Sequence, residues 1–285
     1  MAKTTRVAAW QCVPGPRDVA GNLRRLDAIC ASAAERRVTV LVTPEMFTSG
    51  YAITRADVER LAEDAGGPTE TAVAQIARRH HIAIVFGHPE RVPGARASEH
   101  GASDHGASDH GASDHGISDH GAYNAATMID ADGVVRGRHR KVHLYGDLDR
   151  DQFRRNGRRP AAFDFGESRV GLLICYDVEF PEAVRSLAID GARAIFVPTA
   201  NMTGAEEVQE ILVRARALEN NCGVVYANYC GADEVFEYNG LSEICGPDGE
   251  VLARADAKEE ALIVADLPAE SSGTYLADRR ADLYG

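Results

Sequence analysis

Apolar positions along the chain recur with two periods. Residues 7–11 and 38–42 are short apolar runs of strand length, and between them residues 22–36 place Leu23, Leu26, Ile29, Cys30 and Ala33 on one helical face. That order predicts a βαβ unit whose second strand empties into Thr43, Pro44, Glu45, Met46 and Phe47. Helical spacing resumes over residues 58–63 and again at Val73, Ile76, Ala77 and His80, ahead of a third strand at 82–87. Residues 123–130 and 134–142 flank Ala131, Asp132 and Gly133 and read as a hairpin. Its second arm ends in a basic run containing Lys141, and Asp147, Asp149 and Asp151 follow in what reads as a polar loop. Residues 170–175 are nearly continuous in apolar character, which predicts a strand buried on both faces and ending on Cys175. Pro181, with Phe180, Ala183, Val184, Leu187 and Ala188 at helical spacing, opens a helix just after it. A helix at 206–220 and strands at 194–197, 224–229, 242–245, 251–253 and 261–265 complete the pattern, with Pro247, Asp248 and Gly249 as a turn. Mixed βαβ units and hairpins predict an α/β protein with mixed sheets.

One stretch breaks this pattern. Residues 98–122 are five copies of a pentapeptide rich in Gly, Ser and Asp, and carry His100, His105, His110, His115 and His120. Too few apolar groups are present to offset the entropy of ordering, so the segment reads as a flexible His-rich insertion within a single domain spanning residues 1–285. Five imidazoles could capture a transition metal, and a metal-binding or scaffold protein is the non-enzyme alternative, although no folded metal site is implied. The formal net charge of -12 argues against a nucleic-acid or anionic-membrane partner. No secretory apolar core follows the first residues and no stretch is long enough to span a bilayer, so a soluble, cytoplasmic protein is expected. The cysteines are scattered with no CxxC pair, which indicates neither a zinc site nor a disulfide framework.

Three separate connections thus each present one reactive group: Glu45, Lys141 and Cys175. A thiol at a strand-to-helix junction meets aligned N–H groups and the positive end of a helix dipole, which favours the thiolate. A carboxylate beside it can serve as general base and then general acid. An ammonium, with the backbone N–H of Tyr176, can hold the oxyanion of a tetrahedral intermediate. Such chemistry needs no metal or cofactor.

The segments TPEMF, RKVHL and ICYDVEFPE, in that order, resemble those that carry the Glu, Lys and Cys triad of the nitrilase, or carbon-nitrogen hydrolase, superfamily. YNAATMIDADG, VPTANM, RARALEN, VVYANYCGAD and CGPDGE extend the resemblance over nearly the whole chain. The resemblance implies an αββα sandwich with two mixed β-sheets, paired as a homodimer or higher homo-oligomer. It also implies hydrolysis through a Cys175 thioester, with Glu45 as general base and acid and Lys141 as oxyanion stabiliser. Family members often carry a second glutamate after the lysine; that position falls here on Asp149, whose side chain is shorter. The wording is nearest to short-chain aliphatic amidases, including those acting on 5-aminopentanamide. A small aliphatic primary amide is therefore the expected substrate, with N-carbamoyl amide hydrolysis and nitrile hydrolysis as alternatives that share the triad. Tyr51, Tyr145 and Asn201 are candidate substrate-binding positions.

Overall fold

The computed structural model describes residues 4–94, 121–268 and 273–284. Almost all of the pentapeptide repeat, including its five histidines, lies outside them. In chain order the first strands are β1 (Thr4–Gln11), β2 (Val40–Val42), β3 (Ala83–Arg91), β4 (Ala122–Ile129) and β5 (Val135–Arg140). Next come β6 (Phe163–Phe165), β7 (Ser168–Leu172), β8 (Ala192–Pro198) and β9 (Gly223–Ala227). The remainder are β10 (Cys230–Ala232), β11 (Glu237–Asn239), β12 (Glu243–Cys245), β13 (Val251–Arg254) and β14 (Ala261–Pro268). The α-helices are α1 (Val19–Glu35), α2 (Arg55–Leu61), α3 (Pro68–His80), α4 (Gly146–Gln152), α5 (Pro181–Ile189), α6 (Arg214–Asn220) and α7 (Ala281–Tyr284).

Two six-stranded sheets have the orders β14-β1-β2-β3-β4-β5 and β13-β12-β9-β8-β7-β6, and β10 and β11 form a separate small ribbon. Each sheet has three central parallel strands flanked by antiparallel ones. Alternation of side chains along a strand explains why these runs are apolar throughout. Val7 and Ala9 of β1 face Leu172, Ile174 and Val225 across the sandwich, whereas Ala8 and Trp10 turn to Leu26 and Cys30 of α1 and Val73 and Ile76 of α3. On the outer face of the second sheet, Ile195 and Val224 pack against Val184 and Leu187 of α5 and Ala217 of α6. The layers are thus helix, sheet, sheet, helix, as expected from the sequence.

Three local expectations are corrected. The strand read over residues 170–175 ends at Leu172, and a 3-10 turn, Cys175–Glu179, separates it from α5. Leu173 still donates to Phe196 O at 3.1 Å, but Ile174 N turns to the Asp177 carboxylate at 3.2 Å, which ends the pairing. The polar loop expected after Lys141 contains α4, with Asp149 fully buried. The helix read at 206–220 begins as a π-helix, Val208–Val213, before α6. Its Gln209 is pulled inward by hydrogen bonds with Asn201 and Asn239.

Two contacts fix the reactive ends of the sheets. Glu45 N donates to Thr199 O at 3.1 Å, tying the loop after β2 to the loop after β8. Gly87 of β3 lies beneath the first loop, where a Cβ would meet Met46 N at 2.3 Å and Pro44 O at 2.8 Å. Backbone on both sides leaves no flexible group to give way. Gly87→Ala is therefore expected to cost about 1–3 kcal/mol in urea unfolding and to lower activity by displacing Glu45. Parent-like stability and turnover would show that the loop adapts.

Candidate active site

Glu45 and Lys141 come from strand ends of the same sheet and meet in its interior. Glu45 follows β2 after Thr43 and Pro44, and Met46 just beyond it has φ +50°. Lys141 follows β5, its N–H bonded to Asn124 O at 2.8 Å. Both side chains are wholly buried, and Lys141 Nζ lies 2.7 Å from Glu45 Oε1. The same ammonium lies 2.7 Å from Asp149 Oδ2 on α4. Despite its shorter side chain, Asp149 reaches the lysine because the helix carries it there.

The supporting contacts are equally specific. Asn124 Nδ2 donates to Glu45 Oε1 at 2.7 Å, while Glu45 Oε2 has no partner among the described residues. Tyr145 N donates to Asp149 Oδ2 at 2.9 Å, and the Tyr51 hydroxyl donates to Asp149 Oδ1 at 2.9 Å. Tyr51, a candidate for touching substrate, is thus a buried prop whose hydroxyl is already engaged and whose ring lies 5.7 Å from Lys141 Nζ. Asn201 is also turned inward, its Nδ2 donating to Ala205 O at 2.9 Å and Gln209 Oε1 at 3.1 Å. Tyr145 is 44% exposed and meets the Tyr176 ring edge-on at 5.2 Å.

Cys175 approaches from the second sheet. Its φ of +45° is uncommon for a side-chain-bearing residue and turns the chain sharply from β7 into the 3-10 turn. Cys175 as a whole residue is of intermediate exposure, its sulfur lies in a desolvated position, and the Ala200 N–H is directed at it. Tyr176 stands in the first 3-10 turn, where a backbone N–H has no helical acceptor. Asn124 and Ala200 carried no isolated sequence signal; the fold alone brings them here.

Electrostatics at Cys175 act against the resting thiolate expected from the sequence. Burial pushes the Cys175 pKa above its ordinary value, and the Glu45 carboxylate adds to this; Lys141 and the Ala200 N–H oppose but do not prevail. Burial likewise raises Glu45, against the pull of Lys141, and Asp149 pushes in the same direction. For Lys141, burial would lower the pKa, but the carboxylates of Asp149 and Glu45 outweigh it and hold the ammonium charged. One cation between two carboxylates already leaves an excess of negative charge, so a third anion on sulfur is disfavoured. The result is a thiol beside a strengthened base.

Replacing Lys141 with Met would strand both carboxylates. The expected loss of folding stability is about 3–5 kcal/mol, by the cost of breaking a buried pair. Cys175→Ala strands no charge and should lose much less; equal midpoints for the two variants in urea unfolding would contradict this electrostatic account.

A family model for carbon-nitrogen hydrolases matches residues 6–275. A Pseudomonas protegens protein described as "Hydrolase in pqqF 5′ region" is 42% identical over 288 residues, covering 99% of this chain and 91% of that protein. An (R)-stereoselective amidase from a Pseudomonas species is 32% identical, covering 94% of this chain and 89% of its own. The crystal structure of an amidase from Nesterenkonia sp. aligns with a TM-score of 0.78 at 31% identity, covering 100% of this chain and 96% of that one. In a variant of the same amidase, acrylamide is attached by Michael addition at the active-site cysteine. A match running from the first strand to beyond the last, joined to a shared four-layer fold, places the chain in the carbon-nitrogen hydrolase family, whose members cleave carbon-nitrogen bonds with water.

Proposed function

We propose that the protein is an amidase that converts a small aliphatic primary amide to a carboxylic acid and ammonia through a Cys175 thioester. The observation that carries this reading is the buried Glu45, Lys141, Asp149 group beside the free Cys175 thiol. Cys175 Sγ attacks the carbonyl carbon as its proton passes to Glu45 Oε2, the carboxylate oxygen with no other partner. An ammonium has three N–H donors, and two are directed at Glu45 and Asp149. The third, with the Tyr176 N–H, is available to the oxyanion. Glu45 returns the proton to the departing nitrogen, releasing ammonia and leaving the thioester. Water then attacks the thioester as Glu45 accepts its proton; collapse restores the thiol and releases the acid. Asp149, 2.7 Å from Lys141 Nζ, keeps its contact with the ammonium while Glu45 is protonated.

Within this reading the named candidate substrate is 5-aminopentanamide. Glu179, one 3-10 turn beyond Cys175, is half-buried, and its carboxylate has no ion-pair partner among the described residues. Burial first, and then the neighbouring Glu207, push its pKa up to about 7. A substrate ammonium would supply the missing counter-charge. Pairing into a homodimer belongs to the same reading, with Ile189 and Leu218 exposed on α5 and α6; a monomer mass in sedimentation velocity would overturn it.

Ammonia release and intact mass across a panel of primary amides test the reaction. Cys175→Ala is expected to abolish both the acyl adduct and turnover, and Glu45→Gln to cripple adduct formation; full activity in either would sink the proposed roles. Lys141→Ala is expected to cost at least about 2.7–4 kcal/mol of transition-state stabilisation. Glu179 loses its proton as pH rises through about 7. The KM for an amino-terminated amide should therefore fall over that window, relative to a neutral amide of equal length. Glu179→Gln should flatten this difference; an unchanged ratio of the two KM values would remove Glu179 from substrate selection.

A further inference from the structure

We propose that Asp177 is a positioning residue that fixes Lys141 against Cys175 by gripping the chain on both sides of the lysine. Asp177 lies two residues beyond Cys175 in the 3-10 turn and is fully buried. Its Oδ2 accepts from Ile174 N at 3.2 Å, which anchors the carboxylate to the segment that presents the thiol. The same oxygen accepts from His139 Nε2 at 2.8 Å, two residues before Lys141. Oδ1 accepts from Val142 N at 3.2 Å, His143 N at 2.9 Å and His143 Nδ1 at 2.8 Å, just after the lysine. Five donors therefore converge on one carboxylate, from chain segments belonging to different sheets.

The chemistry of the contacts sets their direction. An ionised carboxylate only accepts, so His139 must carry hydrogen on Nε2 and His143 on Nδ1. Burial opposes the charge on Asp177, but hydrogen bonds from both histidines outweigh it and hold the carboxyl well below the usual range. A second contact locks the same pair of segments, because the His143 ring stacks on Phe180 at 3.8 Å with an interplanar angle of 9°. Asp177 touches neither the Lys141 ammonium nor the thiol. Its effect reaches them through the backbone, where an error of about 1 Å can cost on the order of 100-fold in rate.

This inference rests on the reading that Lys141 and Cys175 act in one reaction. The test is steady-state kinetics on the best amide of the panel for the full-length protein and four variants. Asp177→Asn turns one accepting oxygen into a donor facing N–H groups, and is expected to lower kcat by about 10- to 100-fold with little change in KM. His143→Phe retains a ring to stack on Phe180 but removes a donor, so it keeps the test valid if Asp177→Asn does not fold. It should lower kcat in the same way. His139→Gln, which can still donate near the Nε2 position, should keep more of kcat than His139→Leu. Unchanged kcat in folded His143→Phe, equal values for the two His139 variants, or parallel loss of kcat and folded fraction would overturn the positioning role. Absence of turnover by the parent protein on every amide would instead overturn the amidase reading.

Discussion

A single buried ammonium, Lys141, held at 2.7 Å from both Glu45 and Asp149, is the interaction on which the geometry of the candidate site depends. Neither carboxylate could be placed in so dry a position without it, because an unpaired buried charge costs several kcal/mol. The lysine in turn keeps its proton only because two anions face it. Each member therefore depends on the others, and the props around them serve mainly to hold that mutual geometry: Asn124 on Glu45, Tyr51 and the Tyr145 N–H on Asp149.

In the proposed reaction the arrangement also bears on when the Cys175 sulfur becomes a nucleophile. Two carboxylates against one ammonium leave the group anionic before any thiolate forms. A resting thiolate would add to that excess, whereas proton transfer from Cys175 to Glu45 during attack keeps the total unchanged. Burial raises the pKa of both Glu45 and Cys175, which suits the proton transfer during attack in the proposed reaction. The helix-dipole argument for a thiolate fails because a 3-10 turn occupies residues 175–179 and α5 starts only at Pro181.

Assembly of the site requires both sheets and two uncommon backbone turns. Met46 and Cys175, with φ of +50° and +45°, redirect the chain where Glu45 and the thiol are delivered. Such conformations persist only where the surroundings over-determine them. The Glu45 N–H on Thr199 O ties one loop across the sandwich, and the Asp177 carboxylate joins the lysine segment to the cysteine segment. The sandwich core fixes the distance between the sheets, and these cross-links set the position of the reactive atoms within it.

Much of this was legible in residue order. Continuous apolar runs alternating with helical spacing specify doubly covered strands, so mixed sheets follow from local patterns, whereas the four-layer arrangement was implied by the family resemblance. The three segments bearing Glu45, Lys141 and Cys175 were legible as well, because each stands at or near a strand end and together they resemble the family's triad segments in the same order. Their partners were not. Asp149 stood among several acidic residues in an apparent loop, and nothing local distinguished it from Asp147 or Asp151; only α4 turns it inward. For Tyr51 and Asn201, residue type could not reveal that their polar atoms are engaged with Asp149, Ala205 and Gln209. Asp177 gave no signal beyond its place in a resembling segment, since its five donors come from chain segments up to 38 residues away. Local sequence determined the elements and the kinds of reactive group. Tertiary structure decided burial, protonation and partnership, because these depend on dielectric and distance between segments remote along the chain.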